Sequence, residues 1–200
     1  MLADVDSTSR RFVLGVTGPP GAGKSRLANA LAKTVAEQRG HEFVAVAPLD
    51  GFHLSNETLD RLGLRSVKGA PETFDADAFL QSLRRLRKEP AAAVAWPDFD
   101  RAAEKTVPDA IWVGSDARLV IVEGNYLLLK KPPWHQVRGV LDEVWYLDAS
   151  REELRRRLIQ RQLVGGRSEV EAIRHVDGSD LKNAELVAKT RDVADRTLRP

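Results

Sequence analysis

Apolar residues along this chain come in short unbroken runs, set apart by stretches with helical spacing. Phe12-Val13-Leu14-Gly15-Val16-Thr17 is the first run and predicts a strand buried on both faces. Leu27, Leu31 and Val35 then recur every four residues, with Ala28 and Ala32 on the adjoining face. That is a helix pattern, and Gly40 is its stop. Phe43 to Pro48 predicts a second strand. The stretch from Gly51 to Pro71 is glycine-containing and polar and predicts mainly loop with a short helix. Asp75 is placed to cap a helix from Ala76 to Lys88, in which Phe79, Leu80, Leu83 and Leu86 share a face.

Ala93 to Trp96 predicts a short strand closed by Pro97, and Ile111 to Val113 another. Arg118-Leu119-Val120-Ile121-Val122-Glu123 is a buried strand that stops on a carboxylate, and Glu143 to Asp148 is the next. Ser150 and Glu153 form a capping box for a helix with Leu154, Leu158 and Ile159 on its apolar face. Gly165-Gly166 interrupts that helix. Two more helical stretches start at Glu169 and Asp180, and Asp192 to Leu198 supplies a last strand. Strands alternating with helices imply an α/β fold with a mainly parallel sheet. Ligands in such sheets sit at the carboxyl ends of the strands. That rule selects 18–25, Asp50 and Glu123.

Composition narrows the class. The chain has 200 residues, 42% of them hydrophobic, enough for one domain with a substantial core. It has no cysteine, hence no disulfide, thiolate nucleophile or Cys-based metal site. No apolar run approaches a membrane span, and the first eleven residues lack the apolar middle of a signal peptide, so a cytoplasmic protein is expected. The 31 basic and 29 acidic residues nearly cancel, which argues against a nucleic-acid partner. The four histidines have no tight metal-ligand spacing. Trp134, beside Pro132-Pro133, is expected in the core; a homodimer interface is the alternative.

Gly18 to Ser25 reads GPPGAGKS and fits G-x-x-x-x-G-K-[ST], the phosphate-binding P-loop. Gly18, Gly21 and Gly23 allow positive φ and a close backbone approach. The loop N–H groups can then face phosphate oxygens. Lys24 supplies a point charge to the β- and γ-phosphates, and Ser25 a hydroxyl to Mg²⁺. The strand before and the helix after stand in the required order, and the helix N-terminus adds its positive dipole end.

Asp50, after the second strand, can take the proton of an attacking hydroxyl; as half of an Asp-Gly pair it is equally a turn residue. Glu123 reads as a Mg²⁺-linked carboxylate. His53 can bond a substrate, orient Asp50, or have no role. Arg157, Arg161 and Arg167 flank the Gly165-Gly166 break as on a hinged lid that brings arginines over a transferring phosphate; an exposed arginine-rich helix is the alternative. Residues 68–75 and 96–101 are dense in Pro, Gly, aromatic and charged residues and would overhang the acceptor side.

This run of motifs resembles the P-loop small-metabolite kinases that include uridine kinase, type I pantothenate kinase and phosphoribulokinase. The likeness is carried by GPPGAGKS, DGFHL at 50–54, KGAPETFD at 68–75, WPDFDR at 96–101, VIVEGNYLLL at 120–129 and RRRLIQRQ at 155–162. It implies a three-layer P-loop fold with kinase-type strand order, the strand ending at Glu123 next to the P-loop strand, and a helical lid over about 155–177 within one domain, 1–200. It implies Asp50 as catalytic base, with Lys24, Arg161 and Arg167 as its catalytic companions. It assigns Gly18, Pro19, Pro20, Gly21, Ala22, Gly23, Lys24, Ser25, Arg26, Arg157 and Asn183 to the nucleotide, Asn183 near the adenine. Asp50, His53, Lys68, Asp100, Arg101, Glu123 and Tyr126 fall to the acceptor, and Ser25 and Glu123 to the metal.

The expected function is ATP- and Mg²⁺-dependent phosphorylation of a hydroxyl on a small metabolite: a nucleoside, a sugar or a pantothenate-like compound. The rival is a nucleotide-dependent regulatory or switch ATPase acting on a protein partner. Against a GTPase switch, the chain has no Asn-Lys-x-Asp motif, and its third strand ends in Glu-Gly with no Asp-x-x-Gly after it.

Overall fold

A computed structural model describes residues 1–199. Helix α1 (Leu2–Ser7) precedes β1 (Phe12–Thr17), α2 (Lys24–Arg39) and β2 (Val44–Pro48). Then come α3 (Asn56–Leu62), α4 (Ala76–Lys88), β3 (Val94–Asp100), β4 (Lys105–Val113) and β5 (Leu119–Glu123). The chain closes with β6 (Glu143–Leu147), α5 (Arg151–Val164), α6 (Glu169–His175), α7 (Leu181–Ala188) and β7 (Arg196–Leu198). A π-helical turn, Val176–Asp180, joins α6 to α7.

The main sheet has the order β2-β5-β1-β6-β7, and every pair in it is parallel. Its central strands β1 and β5 are buried on both faces, which explains their continuous apolar runs. Residue parity divides the two sides. Val13, Val120 and Val122 pack with α4 and an aromatic group that includes Phe79, Trp96 and Trp134. Phe12, Leu14, Val16, Leu119 and Ile121 pack with Val5 of α1 and Ala28 and Val35 of α2. Trp134 lies in the core as expected, 3% exposed. A third cluster joins Ala22 and Leu147 to Leu154, Leu158, Val176 and Leu181 of the lid helices.

Helix ends follow local chemistry. Asp75 accepts from Ala78 N at the start of α4, and Phe79, Leu80, Leu83 and Leu86 are its buried face. Gly40 caps α2. Only half of the expected capping box at Ser150 forms. Ser150 accepts from Glu153 N, but the Glu153 carboxylate turns to Arg156 and Arg157 at 2.7 Å each. Two guanidiniums outcompete one backbone N–H for it. A reciprocal capping box forms instead at Ser168 and Glu171.

The two short strands expected near Trp96 and Ile111 are in fact a seven-residue and a nine-residue strand, respectively, paired in an antiparallel hairpin separate from the main sheet. Pro97 does not close the first strand. The register shifts between Trp96 and Asp98, and a two-stranded ribbon has free edges that tolerate proline. Arg11, a residue without a sequence-level role, is buried, and its guanidinium donates to four carbonyls: Ala117 (3.2 Å), Glu89 (3.0 Å), Ala92 (2.6 Å) and Gly114 (2.7 Å). It ties the end of α4 to both feet of the hairpin.

Candidate functional site

Strand register brings the candidate residues to one edge. Glu123 of β5 pairs with Val16 of β1 on one side and Pro48 of β2 on the other. The loop at Gly18 and the turn at Asp50 therefore leave the sheet at the same level as Glu123. Parity then aims the carboxylate. Glu123 shares the face of Leu119 and Ile121, which pack toward α2, so it points at the first turn of α2. There Ser25 Oγ donates to Glu123 Oε1 at 2.7 Å.

Gly18, Gly21 and Gly23 all have positive φ. At Gly18 a Cβ would also stand 2.5 Å from the Leu147 carbonyl oxygen, so no side chain fits. Gly23 caps α2 with no side-chain hydrogen bond, which leaves the first-turn N–H groups without a side-chain acceptor. Lys24 is buried, with Nζ donating to Pro19 O at 3.0 Å. Burial pushes its ammonium down to about 8, against the pull of Glu123 and Asp50. Burial likewise raises the Glu123 carboxyl above the ordinary range, and Lys24 opposes the rise. Unfilled helix-terminal donors, a buried cation and a hydroxyl beside a carboxylate fit a nucleotide phosphate with a divalent metal. Pro19, Pro20 and Ala22 complete the loop. Arg26 is exposed beside it.

Asp50 lies in the turn after β2, and its carboxylate is ion-paired with Arg101 from the hairpin. A 330 Å³ cavity opens there, lined by Ser25, Asn29, Asp50, Asp98, Phe99, Arg101 and Glu123 among others. The hairpin sits close because residue 51 is glycine: a Cβ would stand 2.1 Å from the Pro97 carbonyl oxygen.

Several expected acceptor residues lie elsewhere. Asp100 is outside this lining. Its Oδ1 accepts from Ala102 N (2.9 Å) and Ala103 N (3.0 Å), so it shapes the hairpin turn, and Asp98 faces the cavity instead. Tyr126 is fully buried, and its hydroxyl donates to Gly69 O at 2.5 Å; it fastens loop 68–75 and is outside the cavity lining. Lys68 donates to Asn56 Oδ1 at 2.7 Å and lies over the Phe99 ring, bracing the same loop against the hairpin. His53 Nδ1 meets the backbone oxygen of Asp50 at 2.8 Å, not its carboxylate, and the ring stacks on Phe74 and Phe99. Burial lowers its basicity. Asp98 and Asn29 were missed by sequence reasoning. Local pattern does not separate Asp98 from Asp100, which stands two positions on and on the same face of β3.

On the lid, Arg157 Nη1 donates to Gly21 O (3.4 Å) and Ala22 O (3.3 Å), and Nε pairs with Glu153. Asn183 is buried on α7. Helix α5 ends at Val164, and Gly166 takes a positive φ at the break. Among the described residues, the guanidiniums of Arg161 and Arg167 have no hydrogen-bond or ion-pair partner. Arg161 is close enough for its charge to act on Lys24. No group of three or more His, Cys, Asp or Glu able to hold a metal is present among the described residues, so any metal here would draw on Ser25 and Glu123 together with a ligand. No described helix is long and apolar enough to cross a membrane.

No protein-family model matches the chain. It is similar to a Schizosaccharomyces pombe protein provisionally named uridine kinase C227.14, 40% identical over 94% of this chain and 83% of that one. YggC of Escherichia coli is 36% identical over 94% of this chain and 78% of its own. A crystal structure from Silicibacter sp. TM1040, provisionally described as a fructose transport system kinase, superposes with a TM-score of 0.90 at 36% identity, covering 98% of this chain and 95% of that one.

Proposed function

Because this chain belongs to the P-loop kinases of the uridine kinase and pantothenate kinase type, we propose that it is an ATP- and Mg²⁺-dependent phosphotransferase whose acceptor is a hydroxyl of a small metabolite. The observation that carries this reading is the convergence of Lys24, Ser25, Glu123 and Asp50 on one edge of the sheet, beside a cavity. Bound ATP would supply the phosphoryl group and leave as ADP, and Mg²⁺ would add positive charge at the phosphates. The N–H groups of 18–25 and the Lys24 ammonium hold the phosphates. Ser25 and Glu123 hold the metal side, with the Ser25 hydroxyl oriented by its bond to Glu123.

Asp50 orients the acceptor hydroxyl and takes its proton as the oxygen forms its bond to phosphorus. Arg101 leaves the Asp50 carboxylate as the hydroxyl arrives. Lid closure at Gly165-Gly166 excludes water and brings Arg161 toward the transferring group. Most of the catalysis is positioning and electrostatics. Residues 1–200 act as one kinase domain with its lid over about 155–177, and ATP use assigns it to the cytoplasm. A switch ATPase has no need of the acceptor-sized cavity between Asp50 and Asp98, which favours the kinase.

The test is ATP consumption by the purified protein with Mg²⁺ across nucleosides, sugars, sugar alcohols and pantothenate. One acceptor that raises ADP release well above background, with a phosphorylated product by mass spectrometry, is the expected result. Intact ATP binding with no acceptor-dependent turnover, together with ATPase stimulated by a protein partner, would replace the kinase by a switch.

A further inference from the structure

Most arginines of this protein are engaged. Among the described residues fourteen form ion pairs with carboxylates, including Arg10, Arg87, Arg101, Arg138 and Arg155, and the Arg11 guanidinium donates to four carbonyls. The lid breaks this pattern. Among the described residues Arg167 and Arg174 have no side-chain hydrogen bond or ion pair, yet both line one cavity of 540 Å³. Ser66 and Val67, from the segment between α3 and α4, also line it. His175, Gly178 and Ser179 complete it, the last two on the π turn that joins α6 to α7. Such turns concentrate at functional sites, and a few hundred Å³ is the size of a small-ligand site.

We propose that the acceptor carries an anionic group of its own, a phosphate or a carboxylate, held in this cavity by Arg167, Arg174 and His175. This rests on the kinase reading and names its substrate class. The charge balance favours an anion. Glu171 is the acid in the lining, and its carboxylate is committed to the Ser168 hydroxyl at 2.6 Å and the Ser168 N–H at 3.1 Å. Asp180 is outside the lining, 3.9 Å from His175, and is met by Gln162 at 3.4 Å. Two guanidiniums and an imidazole therefore keep donors free for a ligand. Guanidinium forks and hydroxyls match the oxygens of phosphate or carboxylate. The charge of Arg161 acts on both Lys24 at the P-loop and His175 in this cavity.

The geometry also gives the anion a purpose. It would bridge the lid, through Arg167 and Arg174, to the segment holding Ser66. Binding an anionic acceptor would then draw the lid closed, linking recognition to the exclusion of water.

Matched acceptors test this: glycerate and glycerol 3-phosphate against glycerol, ribose 5-phosphate against ribose, and uridine monophosphate against uridine. Each is assayed with ATP and Mg²⁺ by product mass spectrometry. We expect an anionic member to be turned over at least ~10-fold more efficiently than its neutral partner; whether the phosphate or carboxylate members respond identifies the anion. Arg174→Gln should raise the KM of that acceptor by about 10- to 100-fold with little change in the KM for ATP, and Arg174→Lys should recover part of the loss. Turnover of neutral members alone, or an unchanged acceptor KM in Arg174→Gln, overturns the proposal and leaves the kinase standing.

In parallel, sodium phosphate and sodium acetate are titrated into the intact protein at constant ionic strength, with chloride as the control, while the arginine Nε–Hε resonances are followed by NMR. Saturable shifts at Arg167 and Arg174 that Arg174→Gln abolishes are expected. Their absence overturns the proposal. Their presence without turnover of any acceptor supports the site and counts against the kinase.

Discussion

Ser25 Oγ donates to Glu123 Oε1 across 2.7 Å, joining the first turn of α2 to the last residue of β5. The bond sets a hydroxyl beside a carboxylate, next to the buried Lys24. Glu123→Gln keeps the shape and removes the charge. We expect kcat to fall by about 100-fold or more, with a higher Mg²⁺ requirement, because charge stabilisation at the metal is lost. An Mg²⁺ titration of the rate in both proteins checks this; an unchanged Mg²⁺ dependence removes Glu123 from the metal.

Asp50→Asn removes the proton acceptor and the partner of Arg101. Phosphotransfer should drop by about 10²- to 10⁴-fold, the usual weight of a general base, while nucleotide affinity stays within about twofold. Single-turnover rates and ATP binding are the measurements. Full turnover would end the base assignment.

Lys24 buries a cation, and its value is lowered from 10.5 to about 8. The unfolded chain therefore binds more protons than the nucleotide-free fold between pH 8 and 10.5, so this group makes the fold more stable as pH rises through that window. Below about 8 the cost of burying the charge is complete, on the order of 3 kcal/mol. Lys24→Met should therefore stabilise the nucleotide-free protein at neutral pH, with the gain shrinking above pH 8, and should abolish ATP binding. Urea denaturation at pH 7 and pH 10 reads the difference.

Gly51→Ala places a methyl 2.1 Å from the Pro97 carbonyl. The hairpin must move away from Asp50, because backbone cannot yield as a side-chain tip can. The expected cost is about 1–3 kcal/mol of stability, with a larger rise in acceptor KM than in ATP Kd. Equal effects on both ligands would mean that the hairpin does not border the acceptor.

Arg11→Met leaves four carbonyls without their donor. A loss of about 2–4 kcal/mol follows, read as a lower urea midpoint with normal nucleotide affinity per folded molecule.

Much of this architecture was legible from local pattern. The five runs of the parallel sheet, the Asp75 cap and the stop at Gly40 depend on neighbours a few residues apart. So does the P-loop, whose motif prescribes a strand, a glycine turn and a helix. The hairpin was not legible in full. Pro97 reads locally as a strand breaker, and only pairing as a free-edged ribbon makes it harmless.

The same division runs through the site. The chain alone determined that strands end at 17, 48 and 123, and that Lys24, Ser25, Asp50 and Glu123 follow or close those ends. Parity alone also aimed Glu123 at α2 once the neighbours of β5 were known. Only the tertiary structure decided which side chains meet. Tyr126 carries a hydroxyl that local sequence cannot distinguish from a ligand donor, and packing against Phe74 and Trp134 committed it to Gly69. Asp100 and Asp98 are chemically alike and two residues apart, and the hairpin turn took Asp100 for the N–H groups of Ala102 and Ala103 while Asp98 lines the cavity. Arg11 looked like any charged residue before a strand until four distant carbonyls closed on it. Backbone preference acts over a few residues and is written in order along the chain; the choice of hydrogen-bond partner is settled between residues that are 57 to 106 positions apart and exists only once the chain is packed.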